Sequence, residues 1–256
     1  MILFDQIIFG PIRSRRLGLS LGVNLLPTDA KICSFDCIYC ECGFNTTMLD
    51  ATIPTREQVR EALDVKLTQM VAANEIPDVI TFAGNGEPTL HAHFEEIIND
   101  TLELRDRHCP TAKVSVLSNS TRIHKPSVFR ALNRVDNNIL KFDTAIDRTL
   151  QLIDRPTGKG LSVSWLIEHL RQFNGNLIIQ TMFLRGEYEG EPFDNTTDEE
   201  LTAWINALHL IRPKQIMIYS IDRETPAQGL EKVSVDELNT IAEKLRTHGF
   251  EVSVAG

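Results

Sequence analysis

No stretch of this 256-residue chain approaches the ~18 consecutive apolar residues that a membrane-spanning helix requires. The opening residues, Met1-Ile2-Leu3-Phe4-Asp5, have no basic segment and no sustained apolar run, so no secretory signal is expected. Basic residues are in deficit: 26 Lys and Arg against 35 Asp and Glu leave a net charge of −9 and a pI near 5.3. A field of that sign repels phosphate backbones and disfavours a broad nucleic-acid surface, although a local basic patch stays open. Linkers, repeats and low-complexity segments are missing, which favours one domain over residues 1–256. Among seven histidines no convincing ligand pair occurs; His91-x-His93 reads as a solvated helix start rather than a metal site. Cysteine is sparse and odd in number, at five, which without a secretory signal points to a reducing cytoplasm.

What is present is an ordinary globular composition, 42% hydrophobic and 24% charged. A core of this size needs neither disulfides nor a structural metal. Yet three of the five cysteines fall in one eight-residue window, Cys33-Ser34-Phe35-Asp36-Cys37-Ile38-Tyr39-Cys40. Thiolates held close together select zinc, copper(I) or an iron–sulfur cluster. Four of them close a tetrahedral zinc site or complete a four-iron cluster, whereas three leave one metal position open for a ligand. The spacing also matches one buried helical face, but so strong a clustering of a scarce residue favours a metal site.

Along the chain, Ile2 to Phe9 reads as a short strand broken by Gly10-Pro11, and Leu19 to Leu26 as a strand stopped at Pro27. After the cysteine loop, strands and helices alternate. Pro54-Thr55 with Gln58 has capping-box form ahead of Val59, Leu63, Leu67, Met70 and Val71. Strands are expected at Val79 to Ala83, around Val114 and Val116, at Ile139 to Phe142, and as one long run from Leu177 to Leu184. Ile216 to Tyr219 and Val252 to Val254 complete the set. Helices fall around Phe94 to Leu102, Pro126 to Asn133, Leu161 to Phe173, Leu201 to Leu208 (capped by Thr197) and Leu238 to Leu245 (capped by Ser234). About six β–α units with apolar strands predict a buried parallel sheet, either doubly wound or rolled into a complete or partial barrel.

Ligands in parallel α/β folds bind at the carboxyl ends of the strands. Those ends carry the three cysteines, then Asn85-Gly86-Glu87, Ser118-Asn119-Ser120, Lys141 with Asp143, Thr181 with Arg185, and finally Tyr219, Ser220, Asp222 and Arg223. Six polar ends beside a thiol motif make a coherent ring, and a ring suits a barrel better than an open sheet.

Cys33-x3-Cys37-x2-Cys40, with Tyr39 before the last cysteine, resembles the cluster motif of the radical S-adenosylmethionine (SAM) superfamily. Gly86-Glu87-Pro88 resembles that superfamily's Gly-Gly-Glu-Pro motif, with Asn85 where the first glycine stands. The leader Gly10-Pro-Ile-Arg-Ser-Arg-Arg-Leu-Gly-Leu-Ser-Leu-Gly22 is similar to that of iron–sulfur oxidoreductases related to the wybutosine-synthesis enzymes. Phe183 to Gly186 and Ile218 to Arg223 fit that subgroup less sharply. The resemblance implies a partial (βα)6 TIM-type barrel, with residues 1–19 as a leader and 20–256 as β–α repeats. It implies a 4Fe-4S cluster on Cys33, Cys37 and Cys40, whose fourth iron takes SAM, and reductive cleavage to a 5′-deoxyadenosyl radical that abstracts hydrogen from substrate. The Tyr39 backbone is then expected near the adenine, Gly86 and Glu87 near the methionine amino group, and Ser118, Asn119, Lys141 and Asp143 near the ribose or carboxylate.

A reductant protein such as a flavodoxin or ferredoxin is the implied partner, and the substrate is a small molecule, a peptide or protein, or less readily a tRNA. Two other readings stay open: an electron-transfer protein with Cys42 as fourth ligand, and a structural zinc protein. Cys109 reads as structural. Arg13, Arg15 and Arg16, like Arg155, suit either an anionic substrate or internal pairing with acids, and the acidic chain favours pairing.

Overall fold

The computed structural model describes residues 2–14, 18–46 and 51–255. The chain opens with β1 (Ile8–Ser14) and β2 (Gly18–Val23), an antiparallel pair. The cysteine loop follows, then α1 (Arg56–Ala72), β3 (Val79–Phe82), α2 (Phe94–His108), β4 (Lys113–Ser118), α3 (Pro126–Arg134) and β5 (Asn137–Lys141). Next come α4 (Asp147–Thr149), continued by a π-helical turn over Leu150–Asp154, and α5 (Val163–Leu170). β6 (Ile178–Met182), β7 (Leu184–Tyr188), β8 (Glu191–Asp194) and α6 (Asp198–Ile211) lead to β9 (Gln215–Tyr219), β10 (Leu230–Lys232), α7 (Val235–Thr247) and β11 (Val252–Ala255).

The main sheet has eight strands in the order β1-β2-β3-β4-β5-β6-β9-β11, and every pair from β2 to β11 is parallel. Each new strand adds to the same side of the last. A doubly wound sheet reverses direction at a switch point; this one never does, so it curls into a half-barrel with β1 and β11 at its open edges. All four β3 residues and all five of β6 are buried, as continuous apolar strands in a covered parallel sheet must be. The helices close over the outer face: α1 buries the stripe Val59, Leu63, Leu67 and Met70. Thr55–Gln58 and Ser234–Glu237 form complete capping boxes. Thr197 caps α6, but Glu200 turns away from the box to accept the hydroxyls of Thr144 (2.6 Å) and Thr149 (2.5 Å).

Three segments differ from the sequence expectation. The expected strand from Ile2 to Phe9 is not formed over residues 2–7; β1 begins only at Ile8 and runs through Gly10-Pro11 instead of stopping there, because it is an edge strand and a bulge between Phe9 and Ile12 absorbs the proline. The apolar run from Leu177 to Leu184 splits at Phe183: β6 stays in the half-barrel, while β7 pairs with β8 and β10 in a separate three-stranded sheet. The predicted strand Leu19 to Leu26 ends at Val23, where the Asn24 side chain takes the Leu26 amide (3.2 Å) and gives its own amide to the Leu26 carbonyl (2.9 Å). No helix among the described residues is long and apolar enough to cross a membrane.

α1 and α2 are clamped by one buried carboxylate. Asp100 accepts Arg56 Nε (2.7 Å) and Nη2 (2.8 Å) and Arg60 Nη1 (2.9 Å), and its side chain is 8% exposed. The Arg56 hydrogen bonds, and then the charges of Arg56 and Arg60, outweigh burial and hold the Asp100 carboxyl below its ordinary value. A depressed folded value means that this stabilisation is complete above the ordinary aspartate range of about 3.9 and is lost as pH falls through the folded value. Asp100→Asn should therefore cost about 2 kcal/mol at pH 7, with a difference from the parent that shrinks steadily as pH falls below the ordinary aspartate range. Chemical denaturation across that pH range checks this.

Candidate functional site

The cysteine loop is not a helix. It is stitched between two neighbours by main-chain bonds, so the reading of the three thiols as one buried helical face does not hold. On one side Ile32 pairs in parallel with Gly86: the Ile32 amide donates to the Asn85 carbonyl (3.0 Å) and the Glu87 amide to the Ile32 carbonyl (3.2 Å). On the other side the Asp36 amide is shared by the carbonyls of Asp154 and Arg155 (3.0 Å each), and the Ile38 amide donates to Ile153 (3.0 Å). Asn45 closes the loop from within. Its Oδ1 accepts the Cys33 amide (3.0 Å), and its Nδ2 donates to the carbonyls of Cys33 (3.2 Å) and Phe35 (3.0 Å).

The Ile32–Gly86 contact explains the glycine. Gly86 has φ of +134°, and a Cβ there would stand 1.8 Å from the Ile32 carbonyl oxygen. Asn85, where the family motif has glycine, is spent elsewhere. Its side chain accepts the Phe4 amide (2.8 Å) and donates to the carbonyls of Phe4 (2.9 Å) and Pro27 (2.8 Å), tying the N-terminal leader to the β3 end.

The result is a cavity of about 280 Å³ at the carboxyl ends of the strands, with Cys33, Cys37 and Cys40 on its wall. Tyr39, Gly86, Glu87, Ser118, Asn119 and Lys141 line it too; Asp143 lies behind Lys141, outside the lining. Cys42 is absent from the wall, and its thiol points to the Gly84 carbonyl (3.4 Å). The thiols surround the space instead of converging on one point. Among the described residues no three His, Cys, Asp or Glu side chains gather closely enough for a single metal ion. A larger cavity, of about 760 Å³, opens at the opposite ends of the strands, around Asp78, Lys113, Asn137 and Gln215, and contains none of the thiols.

Behind the thiols lies a buried polar knot. Lys141 Nζ is 3.0 Å from Asp143 Oδ2, 3.3 Å from Asp154 Oδ1 and 3.7 Å from Cys37 Sγ, and it sits 4.3 Å from the Tyr39 ring centre. The Tyr39 hydroxyl donates to Asp154 (3.0 Å) and also bonds Asp143 and Lys141. Asp154 Oδ2 has no hydrogen-bond partner among the described residues. Burial raises the Asp154 carboxyl to about 8 despite the lysine charge. Burial would lower Lys141, but Asp143, Cys37 and Asp154 hold it above its ordinary value. On the opposite wall Lys31, 2% exposed, donates to the Gly43 carbonyl (2.7 Å) and stands 3.7 Å from Asp36. Burial opposes its charge, and the three thiols and Asp36 more than restore it.

The thiols differ among themselves. Burial pushes Cys33 up to about 11 and Cys37 well above the ordinary range, while a hydrogen bond from Cys42 lowers Cys40 to about 6 and raises Cys42 in turn. The charges of Lys31 and Lys141 oppose the effect of burial at Cys33 and Cys37 without outweighing it.

Glu87 joins neighbouring strand ends. Its Oε1 accepts Ser118 Oγ (2.8 Å) and the Thr89 amide (3.1 Å), and its Oε2 accepts the Asn119 amide (2.6 Å). Asn119 in turn donates to Cys33 Sγ (3.4 Å) and Ser34 Oγ (2.9 Å).

Some strand-end residues named from sequence lie elsewhere. Thr181 is buried and donates to the Phe142 carbonyl (2.8 Å); Gln180 and Met182 face the cavity in its place, since alternate strand residues point to opposite sides. Arg185 pairs with Asp194 (3.2 Å) and Glu237 (2.7 Å), and Arg223 with Glu41 (2.7 Å). Ser220 donates to the Phe183 carbonyl (2.8 Å) and Asp222 meets Lys232 (3.1 Å). Tyr219 lines the cavity. Arg155 is occupied by the rings of Phe44 (5.2 Å) and Tyr188 (5.1 Å). Of the N-terminal arginines, Arg13 is exposed, and Arg15 and Arg16 lie outside the described residues. His91 is buried with Nε2 on the Pro54 carbonyl (2.8 Å) and Nδ1 on the His93 amide (3.1 Å), which makes it part of the α2 entry. Cys109 is buried at the end of α2. Sequence reasoning missed Lys31 and Asp154. Neither belongs to a motif, and only the folding of the loop against the turn after α4 shows them.

Residues 29–212 match the Radical SAM superfamily model, and the chain belongs to that superfamily and is an enzyme of it. A UPF0026 protein of Synechocystis sp. is 32% identical over 86% of this chain and 77% of its own length. A Brachyspira hyodysenteriae protein named GTPase Obg is 28% identical over 90% of this chain, which spans only 32% of that protein. Among solved structures, a radical SAM methyltransferase from Sphaerobacter thermophilus has a TM-score of 0.68 at 15% identity, covering 92% of this chain and 65% of that one. Streptococcus suis SuiB bound to S-adenosylmethionine has a TM-score of 0.64 at 13% identity, covering 92% and 50%. Archaeal TYW1 has a TM-score of 0.54 at 13% identity, covering 89% and 71%. At such identities these structures are alike in fold.

The knot makes a prediction that needs no bound group. Lys141→Met leaves the buried Asp143 carboxylate without its cation and should destabilise the metal-free protein by about 3 kcal/mol. Adding Asp143→Asn should recover part of that loss, so that the double variant falls short of the sum of the singles in a denaturation cycle.

Proposed function

We propose that this enzyme binds a 4Fe-4S cluster through Cys33, Cys37 and Cys40 and uses it with SAM. The observation that carries the reading is that three thiols, and not Cys42, surround one cavity at the carboxyl ends of a half-barrel in a chain of the radical SAM superfamily. When bound, the cluster supplies the electron that cleaves SAM to methionine and a 5′-deoxyadenosyl radical, which takes a hydrogen atom from substrate.

The chain's own residues prepare that chemistry. Lys31 and Lys141 offset the thiolate charge from opposite walls. The bridge through Gly86 holds the Cys33 side of the loop at the β3 end, where Gly86 and Glu87 line the cavity and the amino group of the cofactor is expected. Asn119 orients Cys33 by its 3.4 Å contact, while Glu87 holds Ser118 and Asn119 in place. Tyr39, fixed by its hydroxyl to Asp154 and Lys141, presents its backbone to the cavity, where the adenine is expected. A protein reductant, flavodoxin or ferredoxin, supplies electrons, and a small molecule or a peptide fits the net charge of −9 better than tRNA does.

Anaerobic reconstitution tests the proposal. About four irons per chain should be retained, SAM should change the EPR signal of the reduced cluster, and dithionite should drive release of 5′-deoxyadenosine. Cys37→Ser should lose most of the iron, whereas Cys42→Ala should keep it. Stoichiometric zinc in place of iron, or no response to SAM, would sink the reading. Iron loss in Cys42→Ala would point instead to a fully ligated electron-transfer centre.

A further inference from the structure

A second cleft, of about 660 Å³, shares Cys33 with the thiol-lined cavity and no other residue. Its size is that of a small-molecule pocket. Ser34 separates the two spaces, with its hydroxyl on Thr121 Oγ1 (2.5 Å) and its carbonyl accepting the amide (3.0 Å) and hydroxyl (3.1 Å) of Thr157. The loop from Thr157 to Gly160 is thereby held along the rim.

The cations of this cleft stand out in an acidic chain. Arg122, His124, Lys159 and His169 line it, and no Asp or Glu does. The Arg122 Nε is buried with no hydrogen-bond partner, and neither Arg122 nor Lys159 forms an ion pair among the described residues. A buried guanidinium nitrogen without an acceptor is costly unless something else supplies one. At His124 partial desolvation, opposed by a hydrogen bond with Thr121 and then aided by the charges of His169, Lys125 and Arg122, holds the imidazole below its ordinary value.

The opposite wall is flat and aromatic. Trp165 stacks on His169 (centroids 4.0 Å apart, planes at 26°), and His124 meets Trp165 edge-on at 5.4 Å. His169 Nδ1–H donates to the Trp165 carbonyl (2.8 Å), which fixes its ring. Beside it Gly158 and Gly160 leave open space: a Cβ on either would touch nothing within 4 Å.

We propose that this cleft binds an oxyanion group, phosphate or carboxylate, of a small-molecule ligand. Arg122 and Lys159 engage the anion, while Trp165 and the histidines pack against its organic part. An arginine fork beside a lysine and glycine backbone suits oxyanions, and electrostatic attraction survives here because the nearby acids are turned elsewhere. Asp147, for example, accepts the Val163 amide (2.7 Å), and Glu168 lies near Arg171 (3.7 Å). The inference names a second ligand for the proposed enzyme, yet requires neither cluster nor SAM.

The test is a titration of the full-length, metal-free chain with inorganic phosphate, ribose 5-phosphate and citrate, read by tryptophan fluorescence and by calorimetry. Trp165 is the reporter, since Trp204 is buried at 2% exposure. At least one probe should bind saturably, with an affinity that falls as salt rises. Binding should weaken at least tenfold in Arg122→Gln and in Lys159→Gln, and Arg122→Lys should restore part of it. Trp165→Phe should lose the fluorescence response while calorimetry still registers heat. Preference for the phosphates or for citrate identifies which oxyanion the site was built for. Lys159 is exposed, so its variant guards against a folding artefact at Arg122. The same titration on Cys37→Ser separates this inference from the cluster reading: anion binding should survive there. No saturable binding of any probe, or unchanged affinity in both glutamine variants, would overturn the proposal.

Discussion

One short parallel bridge, Ile32 to Gly86, decides where the thiols stand. It joins the loop after β2 to the turn after β3, and it forms only because residue 86 has no side chain: a Cβ there would overlap the Ile32 carbonyl. From that anchor the rest follows in order. Asn45 and the main chain of residues 153–155 fold the loop back across the strand ends, so that Cys33, Cys37 and Cys40 face the same space. The loop is irregular, but the amides of Ile32, Cys33, Asp36, Ile38, Cys40, Gly43 and Asn45 all find acceptors within the chain, which lowers the cost of placing an irregular segment at a strand end.

The charge arrangement is the second constraint. Ionising a thiol is unfavourable where it is desolvated, and the buried Lys31 and partly buried Lys141 reduce that cost. Lys141 is in turn held by Asp143 and Asp154, and Tyr39 locks all three. Such a knot is a poor source of net stability, because desolvation opposes the Coulomb gain, but it is specific: every member loses its partners if the loop shifts. Glu87 makes a similar tie between the β3 and β4 ends. The residues nearest the thiols therefore combine two duties, facing the cavity and holding the loop.

Much of this was legible in the order of residues. The alternation of apolar strands with capped helices predicts a parallel α/β fold, and the ring of polar strand ends favours a barrel over a doubly wound sheet; the strand order agrees. Where the sequence misleads, a tertiary partner is responsible. Gly10-Pro11 looks like a strand break, but β1 sits at an edge where a missing amide costs little. The run from Leu177 to Leu184 looks like one strand, yet Phe183 donates its amide to the Tyr219 carbonyl and the chain leaves for a second sheet. Thr181 looks like a strand-end ligand, but strand alternation turns it into the core and brings Gln180 and Met182 forward.

By itself, the sequence determined the thiol spacing, the glycine that permits the bridge, the caps of α1, α6 and α7 and the apolar period of the strands, because each is a local property of neighbouring residues. Only the tertiary structure decided that Lys31 and Asp154 join the site, that Cys42 stays off the cavity wall while its thiol meets Cys40 and the Gly84 carbonyl, and that Arg122 and Lys159 share a cleft lined by no acid among the described residues. Several of those choices depend on contacts between segments more than 100 residues apart, such as Tyr39 with Asp143 and Asp154. Whether a buried charge finds its partner is settled by which strand ends the half-barrel brings together.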